Sequence, residues 1–161
     1  MIFLDDTCLE IPTKKFTYFF PLDRFYYSND PGHIWFKKIN TLIEIGFDDF
    51  GQKQAGHLHH IRTRRIDNEY QQGRAFGTVE SDKWMGQLRL PLSGILKEVN
   101  EKVIKNPSLV NKDCYSNWIV RIEPTDFDKE IKSPDIIKQG ECDKLRDYIT
   151  SDLQKYDEPP I

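Results

Sequence analysis

The sequence predicts a mainly β domain, two small sheets packed as a sandwich or flattened barrel, with short helices and a late C-terminal helix. Three observations lead there. Many short runs of strand-forming residues follow one another, glycine, proline and asparagine mark the turns between them, and helix-forming composition is concentrated beyond Thr125. At 161 residues the chain has room for one domain with a single core, and not for two with separate cores. It divides into an arm over residues 1–25, a β unit over 26–124 and a helical segment over 125–161.

Pro12, Pro21 and Pro31 punctuate an aromatic-rich start and predict an irregular arm, yet a stretch such as Phe16-Thr17-Tyr18-Phe19-Phe20 must be buried against something. Residues 33–38 and 41–45 read as two strands joined by a tight turn at Ile39-Asn40. Between Gly46 and Gly56 the apolar spacing is helical, which predicts a short helix. Residues 57–62 alternate weakly, and Asp67-Asn68-Glu69 marks a loop before Gly73. Two strand-like runs, 75–81 and 84–90, flank the polar pair Asp82-Lys83, the outline of a hairpin with Lys83 at its tip. The turn Pro91-Leu92-Ser93-Gly94 leads into another strand. A loop over 100–116, with a helical turn at Ser108-Leu109-Val110, precedes a strand over 117–123 that Pro124 ends. Ser133-Pro134 has the form of an N-cap and first helical position, which predicts a helical start at 133–137. In the last helix, over 141–155, Leu145, Tyr148, Ile149 and Leu153 form one apolar face to dock on the barrel.

Composition narrows the function classes. The 26 acidic and 23 basic residues leave a net charge of −3, too little positive field to draw nucleic acid. The apolar run 16–20 is too short for a membrane span or signal peptide and follows Asp5, Asp6 and Glu10. Cys8, Cys114 and Cys142 are odd in number and far apart, so neither a CxxC unit nor a disulfide framework is expected, which favours a reducing cytoplasm.

The segment Gly73-Arg74-Ala75-Phe76-Gly77-Thr78-Val79-Glu80-Ser81-Asp82-Lys83, followed by Pro91-Leu92-Ser93-Gly94-Ile95-Leu96-Lys97-Glu98-Val99-Asn100, resembles the lipoylation region of the glycine cleavage system H protein. The similarity continues in order through residues 27–35, 45–56, 109–113 and 122–124, so that it spans about residues 25–137. The resemblance implies a barrel-sandwich hybrid of the lipoyl and biotinyl carrier type, with lipoate in amide linkage to Lys83. It also implies that Glu80, three residues earlier, takes part in recognition by lipoate ligase or the lipoyl synthesis enzymes, with Asp82 and Trp84 flanking the site.

Two departures bear on the partner. Glycine cleavage H proteins usually have small residues after the lysine, where this chain has Trp84-Met85-Gly86, and a His-Glu-Trp sequence, where this chain has His33-Ile34-Trp35. A Glu-Ser-x-Lys-Trp-x-Gly sequence looks more like the lipoate-binding proteins of the sulfur-oxidising heterodisulfide-reductase-like pathway. Those relatives also have an arm like the one holding Cys8, Pro12 and Tyr26-Tyr27. Sulfur transfer to a heterodisulfide-reductase-like complex therefore ranks above carriage of an aminomethyl group for the glycine cleavage enzymes. The carrier is expected to be a monomer and to lack catalytic residues, because lipoamide brings its own chemistry and the protein supplies attachment and orientation. Lysine stem and lipoyl chain together reach about 14 Å.

Other constellations have simpler readings. His57-Leu58-His59-His60 places two imidazoles on one strand face, but no adjacent cysteine or carboxylate set completes a metal shell, and a polar strand face is expected. Arg62, Arg64, Arg65 and Arg74 read as a solvated face before an acidic-partner dock. Trp84 either steers the lipoyl chain or is an ordinary half-buried strand residue. An unmodified binding module is the competing function. A biotin carrier is disfavoured because methionines do not flank Lys83, and no nucleophile, base and orienting group form a recognisable enzyme site.

Overall fold

Alternation of buried and exposed residues turns the aromatic arm into a hairpin in the computed structural model, which describes residues 7–161. Strand β1 (Cys8–Pro12) pairs antiparallel with β2 (Thr17–Pro21), so that Leu9, Ile11, Tyr18 and Phe20 all face inward. The expected irregular arm is therefore corrected: the prolines lie at the strand ends, where a missing N–H is tolerated. Residues 1–6 of that expected arm lie outside the described residues.

Strand β3 (Phe25–Tyr27) pairs with β4 (Ile34–Ile39), and β4 with β5 (Leu42–Phe47). The register Ile39↔Leu42 makes Asn40-Thr41 the turn, one residue later than expected, because Asn40 accepts the left-handed φ of 55° that a tight hairpin asks for. Helix α1 (Asp49–Ala55) follows as predicted, its N-terminus capped by Asp48, whose carboxylate accepts from Gly51 N–H at 2.8 Å. Then come β6 (Leu58–Thr63), the short β7 (Glu69–Tyr70), the hairpin of β8 (Ala75–Ser81) and β9 (Met85–Arg89), and β10 (Gly94–Val99).

The expected 100–116 loop is more helical than the sequence suggested. Asn100 opens α2 (Glu101–Lys105), and Pro107 precedes α3 (Ser108–Lys112). Val103 and Val110 are fully buried, and their burial holds these two short helices in place. Strand β11 (Val120–Pro124) and helix α4 (Phe127–Glu130) lead to the clearest local misreading. Residues 133–137 form no helix; instead β12 (Ile136–Ile137) pairs with β3 as Ile136↔Tyr27 and Ile137↔Tyr26. The Ser133 hydroxyl accepts from Asp135 N–H at 3.2 Å in a turn, and both isoleucines are buried, so sheet pairing overrides the local cap signal. Helix α5 (Cys142–Lys155) closes the chain with Leu145, Ile149 and Leu153 buried, as the apolar face predicted.

Among the described residues the strands form a seven-stranded sheet in the order β12-β3-β4-β5-β11-β10-β7, a three-stranded sheet β6-β8-β9 and the β1-β2 hairpin. This is the mainly β architecture with short helices that the sequence predicts, but the expected single core is two. One cluster gathers residues from the seven- and three-stranded sheets, among them Phe36, Ile45, Leu58, Phe76, Val79 and Ile122. The other joins the β1-β2 hairpin to α5 through Tyr18, Phe20, Trp35, Phe50, Ile149 and Leu153. Thus α5 docks on the aromatic arm and not on the barrel face alone. Among the described residues no helix is long and apolar enough to cross a membrane.

Trp35 anchors this outer core. Its ring is fully buried, its Nε1–H donates to Cys114 O at 3.1 Å, and the Arg24 guanidinium lies 4.7 Å over it. The ring lies against Gly46, its partner across the β4-β5 ladder, where any Cβ would fall inside the indole. Gly46→Ala is expected to force the indole off its rotamer and cost about 1–3 kcal/mol. Urea unfolding checks this, and an unchanged midpoint would show that the ring can yield.

Candidate functional site

The β8-β9 hairpin ends in a two-residue tip, Asp82-Lys83, as the sequence predicts. Ser81 closes the turn: its N–H donates to Trp84 O at 2.8 Å, and its hydroxyl sits 3.3 Å from the same oxygen and 3.4 Å from Lys83 N. The Ser81 side chain is buried, while Lys83 is exposed and, among the described residues, no carboxylate pairs with its ammonium. Its stem runs past Gly56, the residue that caps α1, with Lys83 Cε about 3.5 Å from where a Cβ on Gly56 would lie. An exposed lysine without a counter-charge, on a turn held by backbone bonds, is accessible to an enzyme that acylates amines.

Beside the lysine lies a groove of about 320 Å³, lined by His33, Phe47, Phe50, Gln54, Trp84 and Tyr156 together with Lys83 itself. Its volume is at the lower end of small-molecule sites, suited to a slim aliphatic chain. Trp84 is 40% exposed; its ring lies parallel to Phe47 at 6.5 Å and folds over Gly86, where a Cβ would strike the indole. Trp84 lines the groove beside Lys83 and is also half-buried against Phe47, so the geometry accommodates both expectations for it. The lining fits a lipoyl arm on Lys83 in chemistry, because the groove includes the lysine itself and its walls carry Phe47, Phe50, Trp84 and Tyr156.

The groove floor contains a residue that sequence reasoning passed over. His33 is buried and stacked between Phe50 at 4.3 Å and Tyr148 at 5.1 Å; its Nδ1 meets Asp48 at 3.2 Å and its Nε2 meets Asp152 at 2.6 Å. Burial by itself would push the imidazole's pKa down, but the charge of Asp48 and the hydrogen bonds to Asp152 and Asp48 raise it to about 9. Burial favours the neutral acid at Asp152, but the hydrogen bonds and charges of His33 and Lys155 together outweigh it and hold that carboxyl below the usual range. No signal in the sequence around His33 pointed to this, since Asp152 comes from a helix 119 residues away.

The other expected site residues separate. Glu80 is half-buried on a different surface from the groove, 3.9 Å from His60 and beside Met85, which is 65% exposed. Asp82 accepts from His59 Nε2, and this hydrogen bond lowers its carboxyl pKa. The arginines follow the solvated reading, with Arg64 Nε donating to Ala75 O at 2.7 Å. All three cysteines are free, and burial pushes the Cys8 and Cys114 thiols up, away from reactivity.

Comparison with known proteins adds to this geometry. The family model described as "Glycine cleavage H-protein" matches residues 25–145. The "Probable glycine cleavage system H protein 3" of Sulfolobus acidocaldarius is 37% identical over 117 residues, 71% of this chain and 79% of the relative. The "Glycine cleavage system H protein 3" of Aquifex aeolicus is 30% identical over 139 residues, 85% of this chain and 84% of that one. The crystal structure of a glycine cleavage system H protein from Mycobacterium marinum superposes with a TM-score of 0.64 at 22% identity, over 80% of this chain and 99% of that one, which shows the shared barrel-sandwich fold.

Gly86→Ala is expected to displace Trp84 from its seat by the groove, raising acrylamide quenching of its fluorescence relative to a Trp84→Phe background. Unchanged quenching would mean the indole is not held there. For His33 the folded-state pKa lies above the unfolded one, so its stabilisation is complete below about pH 6.5 and is lost as pH rises through about 9. Unfolding free energies across that window are expected to fall by at most about 3 kcal/mol, and by less in Asp152→Asn. Equal slopes in the two proteins would remove Asp152 from the account.

Proposed function

Because the chain belongs to the glycine cleavage H-protein family, we propose that Lys83 is the residue of this chain to which lipoate is amide-linked, and that the carrier serves the glycine cleavage enzymes. Members of the family are non-catalytic carriers with lipoate attached covalently to a lysine. The observation that carries the assignment to Lys83 is its place at an exposed, backbone-closed hairpin tip that opens directly onto an aromatic groove.

Each residue's part follows from its position. Ser81 fixes the turn, so the base of the arm has a defined direction. Amide formation removes the Lys83 charge, which suits the stem to the walls formed by Phe47, Phe50 and Trp84. Glu80 and Asp82 offer carboxylates on the approach to the lysine, a contact surface for lipoate ligase or the lipoyl synthesis enzymes. Lipoamide, when attached, supplies thiol-disulfide exchange and group carriage. Tethering raises the local concentration at a partner's site, so weak docking suffices. In this reading residues 1–161 act as one carrier unit, a monomer in a reducing cytoplasm, in keeping with three free thiols.

Glycine cleavage takes first place over sulfur transfer because the matching family and the relatives carry that name. The sulfur reading, with a heterodisulfide-reductase-like complex as partner, keeps one specific support. Glu80-Ser81-Asp82-Lys83-Trp84-Met85-Gly86 departs from the small residues usual after the lysine, and Trp84 stands where it would touch the arm.

Peptide mass spectrometry of protein made with lipoate and a lipoate ligase is expected to find a lipoyl adduct on Lys83 alone, and none in Lys83→Arg, whose fold is unchanged. Glu80→Ala is expected to slow the modification without abolishing it. A bare Lys83 under these conditions would overturn the assignment in favour of an unmodified binding module. Loading of the lipoylated chain by glycine decarboxylase with glycine separates the two partner readings.

A further inference from the structure

The hairpin that lifts Lys83 also carries a carboxylate to a pair of imidazoles. His57 enters β6 and His59 lies on it, and their rings are 4.7 Å apart between centroids. The β6-β8 register passes from Leu58↔Ser81 to His60↔Glu80, leaving His59 as the extra residue of a β-bulge. Bulges re-aim a side chain that strict alternation would send elsewhere. His59 is aimed at the tip, where Asp82 follows Ser81 and meets its Nε2. One ligand atom from each of His57, His59 and Asp82 lies within 4.8 Å of the others, and all three side chains are exposed.

We propose that His57, His59 and Asp82 form a binding site for a divalent transition-metal ion of the zinc class beside the tip of the Lys83 hairpin. Two imidazoles and a carboxylate are the donor set of three-ligand zinc sites that keep a fourth position open, and imidazole excludes the hard cations magnesium and calcium as preferred occupants. Bonds of about 2.0–2.1 Å in a tetrahedral shell need ligand atoms roughly 3.3–3.4 Å apart. Side-chain rotations would provide that closure, since all three residues are exposed. Asp82 is 23 residues from His59 in sequence, and the β6-β8 ladder has already closed that loop, so the ion gathers groups the fold has brought together. His60, directed to Glu80 at 3.9 Å, stays outside the shell. An ion here would clamp the tip to β6 one residue before Lys83 and restrict the base of the arm, whichever group the lysine carries.

The test uses the full chain, unmodified and without an affinity tag. Zinc is titrated in competition with a chromophoric chelator, and cobalt is added separately for its visible absorption. One ion per chain is expected, with a cobalt spectrum of four- or five-coordinate form. Affinity should fall about tenfold or more in each of His57→Ala, His59→Ala and Asp82→Ala. It should be unchanged in His60→Ala and in a Cys8→Ser, Cys142→Ser double variant. Of the four histidines, only His57 and His59 should show shifted imidazole NMR signals on zinc addition. Failure to compete with the chelator, or binding that survives all three ligand substitutions, would overturn the site. All three positions are exposed, so the variants keep the fold and either outcome is readable.

Discussion

His33 brings a positive charge into the interior, and a buried charge persists only where counter-charges and hydrogen bonds meet it on the spot. Its two partners come from distant parts of the chain, Asp48 at the N-cap of α1 and Asp152 on α5. Asp48 serves twice, since its other oxygen accepts from Gly51 N–H. The backbone is committed as well: His33 has a left-handed φ of 64°, and its N–H donates to Tyr148 OH at 2.9 Å. The start of β4, the start of α1 and the middle of α5 therefore cannot shift independently. Of these segments His33, Phe50 and Gly51 line the groove, and the second core, which includes Trp35, Phe50 and the α5 face, packs against them.

Around Lys83 the design is reversed. Its turn is fixed by Ser81 through backbone and hydroxyl bonds, while the lysine ammonium meets no carboxylate among the described residues. A salt bridge there would compete with acylation and would be lost once the amine became an amide. A rigid base and a free end are what a group carrier needs, since the arm's reach does the searching and the protein only has to aim it.

The hairpins at 34–47 and 75–89 and the face of α5 were legible in the sequence because local pattern and tertiary environment agree there: turn residues, strand alternation and helical spacing all point one way. The arm and residues 133–137 were misread because tertiary contacts decide them. Thr17–Pro21 becomes a strand by burying Tyr18 and Phe20 under α5, and Ile136–Ile137 becomes one by joining β3, against a sound N-cap signal. The site divides in the same way. Lys83, Asp82 and Trp84 are contiguous and were found from the motif. His33, Phe50 and Tyr156 reach the groove only through long-range packing of β4, α1 and the residue following α5, which no local window contains.

Strand geometry at the tip separates tasks that a small carrier must not confuse. Glu80 shares a separate depression with His60, Arg62 and Met85, whereas Trp84 borders the groove beside Lys83. In the proposed function, an enzyme that reads Glu80 would approach one surface, while the groove beside Lys83 opens on another. If both sat on one surface, an arm lying in the groove would mask the recognition residue, and a docked enzyme would block the arm's retreat. Three residues of separation along the β8-β9 turn are enough to avoid this, because successive side chains at a hairpin end diverge sharply in direction. The same divergence explains why one short tip can present a lysine, a carboxylate and an indole to three different neighbours: solvent, His59 and Phe47.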